Sequence, residues 1–451
     1  MNEFFLASII GLSFIIGFFL PVQIRIYVLA ALAIPQLYFG VNSLSFFDIW
    51  LMVTVLLSVN GTRARGREAR LLTALWLLIA SFATALIWSE PDSYASGILW
   101  IARLAMFALL VQILMYLYRA SPKTVYRAIY WALPGLVIQA ALVIYFRFNP
   151  VQEISFLRTT TADIFVGVGA KGLFNGAANN VFDPAKSGGV LINANVASMA
   201  AGVGVFLILI LLNHSEKKWL LAPLILEVAS VFATGSKTGV TLLVVLTLVA
   251  WVLNVFGRKS RAAWIVPLVL MVGVASFAIP TLLTRFFPSF TQDSTISLDS
   301  RSEIWNAANE LFQKNSVLGM GFGGWAREIV HYPSAYGLPP HNLLILTWAN
   351  GGLFSALLLL LFLSLTIIYF LRSILISRTS KERNQLVFSL SAILWVFLHG
   401  MGDNTVLYGG NHELLLTALA FAFISGHLSG KNDPENLSDS TYLKRPLREF
   451  V

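Results

Sequence analysis

LLILTWANGGLFSALLLLLFLSLTIIYFL, residues 343–371, carries no charged side chain from its first position to its last. A helix crosses the hydrocarbon core of a bilayer in about 20 apolar residues, and this run exceeds that. Runs of similar character occupy 4–20, 26–40, 44–59, 71–88, 98–118, 128–146, 189–212, 219–234, 239–256, 264–283, 386–400 and 413–429, which makes 13 candidate spans in all. Composition agrees. Of 451 residues, 57% are hydrophobic and 12% are charged, about half the charged fraction of a soluble domain. The chain reads as an all-α polytopic membrane protein with about 12–13 transmembrane helices. The first run lacks a basic leader and a small-residue cleavage site, so it reads as a retained helix rather than a signal peptide. Cysteine is absent, which excludes disulfides, thiol catalysis and cysteine-held metals.

The formal charge of +9 has two readings, nucleic-acid binding or lysine and arginine collected on the cytoplasmic side of a membrane. The distribution favours the second, and no nucleic-acid partner is expected. Connections 61–70, 119–127, 213–218, 257–262 and 372–384 hold 4, 3, 2, 3 and 4 Lys or Arg, whereas 40–43, 89–97 and 401–412 hold none. The first set is assigned to the cytoplasm. Residues 1–429 form the membrane domain, and the polar stretch 430–451 forms a loosely ordered cytoplasmic tail. By parity the N-terminus is external.

Two external loops are long, about 147–188 and 284–342. Loops of this length inside a compact protein are functional or disordered. The second contains SRSEIWNAANELFQ, residues 300–313. Ile304, Trp305, Ala308, Leu311 and Phe312 recur there at helical spacing, and Ser300 with Glu303 fits a capping box. The spacing predicts an amphipathic helix opening at Ser300.

The two loops together carry eight basic residues: Arg147, Arg158, Lys171, Lys186, Arg285, Arg301, Lys314 and Arg327. Lys237 sits in TGSKTGV, a tight external turn. Its neighbours are small and polar, so turn amides plus a lysine can hold an anionic oxygen. The alternative is a lysine that caps the turn and snorkels to the headgroups. His341 and Asn342 stand at a helix start in PPHNLLILTWANGG. A helix N-terminus disfavours an imidazolium, which suits a proton acceptor. The plainer reading is a polar pair capping the helix. No two of the six histidines have the i, i+4 spacing of a helical metal site, so no metal or other cofactor is expected. Asp48 and Arg103 each lie about a turn inside a span and can pair. Glu227 lies mid-span, where an ionisable group is costly. VLGMGFGGW, residues 317–325, satisfies G-x-G-x-x-G but follows no strand. A loop needing close backbone approach fits it better than a nucleotide site.

RSEIWNAANELFQKNSVLGMGFGGW followed by PPHNLLILTWANGGLFSALLLL resembles the signature of the O-antigen ligase and polymerase superfamily, integral membrane glycosyltransferases of bacterial envelopes. GGVLINANVASMA, with Asn195, is similar to that family's glycine-then-asparagine helix start. TGSKTGV is similar to its Ser-Arg-Gly or Ser-Arg-Thr turn, with lysine where the family has arginine. Lysine neutralises a phosphate but lacks the bidentate fork.

The resemblance implies a donor glycan on undecaprenyl pyrophosphate and an acceptor glycan or lipid A core. Transfer to the acceptor sugar hydroxyl then inverts the anomeric centre without a metal, in the bacterial inner membrane with the site facing the periplasm. Membrane lipids are further partners. His341 becomes the base, and Arg301 and Lys237 face the departing pyrophosphate. Arg158, Asn195, Arg285, Arg327, Asn342, Gly321 and Trp325 are the candidate substrate contacts. Polymerisation of repeat units and ligation to the core remain alternatives within this reading, and a larger external domain would favour protein O-glycosylation. The competing class is a polysaccharide or lipid-linked oligosaccharide transporter, which predicts a charged midplane path and inverted repeats.

Overall fold

The computed structural model describes residues 3–39, 44–64, 66–175, 179–256, 288–403, 406–407 and 409–428. Among the described residues the secondary structure is helical, apart from one isolated bridge between Tyr38 and Ser45. Among the described residues, six helical segments are long and apolar enough to cross a membrane: Gly66–Trp88, Pro91–Ala120, Pro122–Phe148, Ala194–Ser215, Lys237–Asn254 and Leu343–Ile376. The chain is an all-α polytopic membrane protein, but most other expected spans are shorter than the hydropathy suggested. Residues 26–40 contain the end of a helix, Val22–Ala31, and then a turn in which Gln36 and Leu37 take positive φ. Residues 44–59 reduce to Phe46–Leu56, and 219–234 to Leu221–Ala233. Hydropathy measures apolar length and is blind to a backbone that turns inside it. The span at 264–283 and the tail lie outside the described residues.

We number the helices the site depends on as α1 (Ala194–Ser215), α2 (Lys237–Phe256), α3 (Pro288–Asn315), α4 (Leu343–Ile376), α5 (Ser380–Gly400) and α6 (Asn411–Ala422). Helix α1 is the hub. Its face of Ala197, Ser198, Ala200, Ala201, Gly202 and Gly204 lets neighbours approach closely, as small residues do between membrane helices. Trp395 of α5 is fully buried and its indole fills the space a Cβ on Gly202 would need. This contact sets the start of α1 and the end of α5 at one end of the bundle. At the opposite end, Glu68 pairs with Arg119 and accepts from Ser425 Oγ at 2.7 Å, while Arg119 also donates to the Arg63 carbonyl.

Two structural features correct the expectations drawn from sequence. Helix α3 opens at Pro288, not Ser300, so Ser300 lies inside it. Proline at a first helical position loses nothing by lacking an N–H, and no breaker intervenes before Ser300. The amphipathic face is as expected in outline, with Ile304, Ala307, Ala308 and Leu311 buried, but Trp305 and Phe312 lie half-exposed at its margins. Asp48 and Arg103 do not pair. Asp48 closes a capping box with Ser45, and Arg103 Nη1 donates to the Gly409 carbonyl at 2.8 Å. Both groups found nearer backbone partners.

The glycine loop and the long helix explain each other. Helix α4 breaks at Gly352, whose φ of 79° and ψ of −178° are open only to glycine. The loop docks into the break: Met320 N donates to Ala349 O at 2.8 Å and Leu353 N to Val317 O at 3.0 Å. Backbone groups freed by a broken helix must find such partners away from water.

Candidate functional site

His341 precedes the helix α4. Asn342 is the N-cap, its side-chain oxygen accepting from Leu344 N at 2.9 Å and Ile345 N at 3.2 Å. The same side chain uses its other end to donate to the Met401 carbonyl at 3.1 Å. One asparagine therefore caps α4 and ties it to the end of α5. His341 is bent into the left-handed region, with φ of 48°, which few residues other than glycine adopt. That bend accompanies a contact between Nδ1 and Asp403 Oδ1 at 3.3 Å. The imidazole is partly exposed and the carboxylate mostly covered.

The segment Met401–Asp403 also meets the cations. A Cβ placed on Gly402 would stand 3.4 Å from Thr238 Oγ1 and 3.8 Å from Arg301 Nη1. Lys237, which opens α2, directly precedes Thr238. His399, fully buried one turn before Asp403, feels the charges of both Asp403 and Arg301. The three residues expected to carry the chemistry, His341, Arg301 and Lys237, thus belong to elements that meet on one short stretch.

The turn holding Lys237 is itself fixed from three sides. Ser236 is buried and its Oγ accepts from Gly239 N at 3.3 Å. Ser198 of α1 fills the space beside Gly239. Ser187 N donates to the Thr234 carbonyl at 3.2 Å. That incoming strand of loop, residues 187–190, is clamped in turn. Glu153 accepts from Gly188 N and Gly189 N, at 3.0 and 2.9 Å. Gln139 bonds the Gly188 carbonyl and Val190 N. Burial pushes the Glu153 carboxyl above its ordinary 4.5, against the pull of the two glycine N–H groups and Ser187. Asn195 lies in the first turn of α1, on the element packed against the lysine turn. The capping asparagine there is Asn193, which accepts from Asn195 N and Val196 N.

Other expected contacts go elsewhere. Arg158 is exposed, with its guanidinium 4.9 Å from the centre of the Phe174 ring. Arg327 forms ion pairs with Glu90 and Glu328. Trp325 is buried in a cluster with Ile304, Leu311 and Trp348, and its Nε1 donates to the Leu338 carbonyl at 2.9 Å. Gly321, at φ of 73°, would place a Cβ 2.9 Å from Ser89 Cα. Its freedom serves loop packing. Arg285 lies outside the described residues. The loop cations are similarly engaged: Arg147 with the Pro184 carbonyl, Lys171 with Asp163 and Lys186 with Asp183.

Sequence reasoning missed Asp403 and His399. A signal for Asp403 existed: it is the only acid in the connection 401–412. Among the described residues no group of three or more His, Cys, Asp or Glu is arranged to hold a metal ion.

Comparison with known proteins covers part of the sequence that forms this cluster. No curated protein matches the chain. Residues 222–361 match the family model described as O-antigen ligase. The matched segment contains Lys237, Arg301, His341 and Asn342, whereas Asp403 and Asn195 lie beyond it. The expectation drawn from the motifs is supported over residues 222–361, a stretch that is similar to the O-antigen ligase family.

Proposed function

We propose that this protein transfers a glycan from undecaprenyl pyrophosphate to an acceptor sugar hydroxyl at the outer face of the bacterial inner membrane. The acceptor is either a growing polysaccharide or lipid A core. The family match over residues 222–361 supports glycosyl transfer of the O-antigen ligase or polymerase type; the donor, the base and the sidedness are our reading. The observation that carries it is the convergence of His341 with Asp403, Arg301 and the Lys237–Thr238 turn.

An ionised Asp403 accepts a hydrogen bond only, so it favours the tautomer with the proton on Nδ1. Nε2 is then left with its lone pair. The acceptor hydroxyl oxygen attacks the anomeric carbon from the face opposite the pyrophosphate. As the new C–O bond forms, the hydroxyl proton passes to Nε2 and the bond to the pyrophosphate oxygen breaks with its electron pair. The configuration inverts. Arg301 and Lys237 stabilise the charge that gathers on the leaving group. A donor anchored in the bilayer by its lipid supplies proximity. The transporter reading has less support, since His341, Asp403, Arg301 and Lys237 gather at one end of the bundle and Glu227, buried against Gly204, stands apart from them.

The test is incubation of the purified protein in detergent with undecaprenyl-pyrophosphate-linked glycan, with and without lipid A core. A ladder without core means polymerisation, and a single shift that needs core means ligation. No product in either case removes the transferase reading.

A further inference from the structure

The loop that leads into α1 is bent against its own preferences. Ile192, a β-branched residue, sits at φ of 61° and ψ of −60°, where such side chains rarely go. A strained backbone persists only where its surroundings over-determine it, and such strain gathers at functional sites.

Two buried side chains from other elements hold this loop. Glu153, on the short helix Pro150–Leu157, is 1% exposed. Gln139, inside the helix Pro122–Phe148, is 4% exposed. Gly188 takes the right-handed conformation and Gly189, at φ of 58°, the left-handed one. Two successive N–H groups turned in this way form a concavity for an oxygen acceptor. Glu153 Oε1 fills it at 3.0 and 2.9 Å and also takes the Ser187 hydroxyl at 3.4 Å. Gln139 closes the other side. Its Nε2 donates to the Gly188 carbonyl at 2.8 Å, and its Oε1 accepts from Val190 N at 3.0 Å.

The loop so fixed presses on the lysine turn. Ser187 N donates to the Thr234 carbonyl, and both residues are fully buried. A Cβ on Gly235 would strike the Ala185 carbonyl oxygen. Further along, Asn193 caps α1, and Ser198 of that helix packs beside Gly239. Parts of one clamped segment therefore hold the turn both before and after Lys237.

We propose that Glu153 and Gln139 are positioning residues for Lys237, fixing the turn 234–239 through the loop 185–190. The consequence for catalysis rests on the transferase reading; the clamp itself does not.

The test uses the full-length protein in detergent. Hydrogen exchange read by mass spectrometry comes first. Glu153→Ala should speed exchange about tenfold in peptides covering 185–190 and 234–240, the effect of losing buried hydrogen bonds. The start of α4 should keep its rate. Glu153→Gln retains an acceptor oxygen and should restore most of the protection. Transfer from lipid-linked glycan comes second. Glu153→Ala should lower kcat about 10–100-fold, as a displaced reacting group does, with the donor KM changed less. In a Lys237→Ala background the same change should add little, because the clamp then positions nothing that acts on the leaving group. Gel filtration and thermal unfolding check that the variants are folded. If Glu153→Ala does not fold, Gln139→Ala carries the same measurements. The proposal is overturned if the turn keeps its protection, if α4 loosens as much as the turn, or if the Glu153 and Lys237 losses multiply. Loosened exchange in a protein that transfers no glycan keeps the clamp and sinks the transferase reading. Transfer by a protein whose turn stays tight in the variants does the reverse.

Discussion

His341 Nδ1 and Asp403 Oδ1 stand 3.3 Å apart across 62 positions of sequence. On the proposed reading, this contact holds the ring of the base and, with Asp403 ionised, favours the proton on Nδ1. It also separates the two roles by experiment. His341→Ala should lower turnover by about 10²–10⁴-fold, the range of general base catalysis. Asp403→Asn should lower it less and shift the pH–rate profile, since the amide can donate and favour the wrong tautomer. Rates on lipid-linked glycan would decide. A folded His341→Ala protein at full rate would return His341 to a helix-end role.

Lys237 and Arg301 are predicted to act on charge rather than on fold. Lys237→Arg should retain activity, since guanidinium offers a fork to phosphate oxygens. Lys237→Ala and Arg301→Ala should each depress kcat more than they raise the donor KM, because leaving-group charge is greatest in the transition state. Equal effects on substrate affinity alone would assign both to ground-state binding.

Asn342→Ala removes the α4 cap and the bond to the Met401 carbonyl together. Such losses cost about 1–2 kcal/mol. The expected result is a lower Tm in detergent together with lost activity. Asn342→Asp should recover the cap, whose acceptor it keeps, but not the donated bond. A Tm equal to wild type in Asn342→Ala would show that neither bond holds the two helices.

Glu153 gives a pH dependence whose sign is set by burial. Its carboxyl is raised above 4.5 in the folded protein, so the neutral form is favoured there. The corresponding stability is fully present below the unfolded value and is lost as pH rises through the folded one. Thermal unfolding followed from acid to neutral pH should show that decline in the wild type. Glu153→Gln keeps an acceptor for Gly188 N and Gly189 N and should flatten the curve. An unchanged slope would place the titration elsewhere.

Much of this was legible in the sequence. Uncharged runs such as 343–371 declared a membrane protein, and the pairing of RSEIW with PPHN located His341 and Arg301. Local pattern reached no further than local contact. Asp403 escaped notice because its partner is remote in sequence and nothing near it repeats. Arg327 and Trp325 looked like substrate contacts because a basic or aromatic residue in a loop reads the same whether it meets a sugar, Glu90 or the Leu338 carbonyl. Asp48 and Arg103 were matched by opposite charge, but backbone groups lay closer to each. Ser300 carried a cap motif that the helix simply ran through, since a motif permits a helix start without requiring one.

The left-handed backbone at His341 has a further consequence. A side chain held there carries about 1–2 kcal/mol of strain that glycine would not. Selection for robustness alone would therefore replace this histidine. On the proposed role as base, stability and turnover pull in opposite directions at this residue, and His341→Gly is expected to lose transfer while relieving that strain.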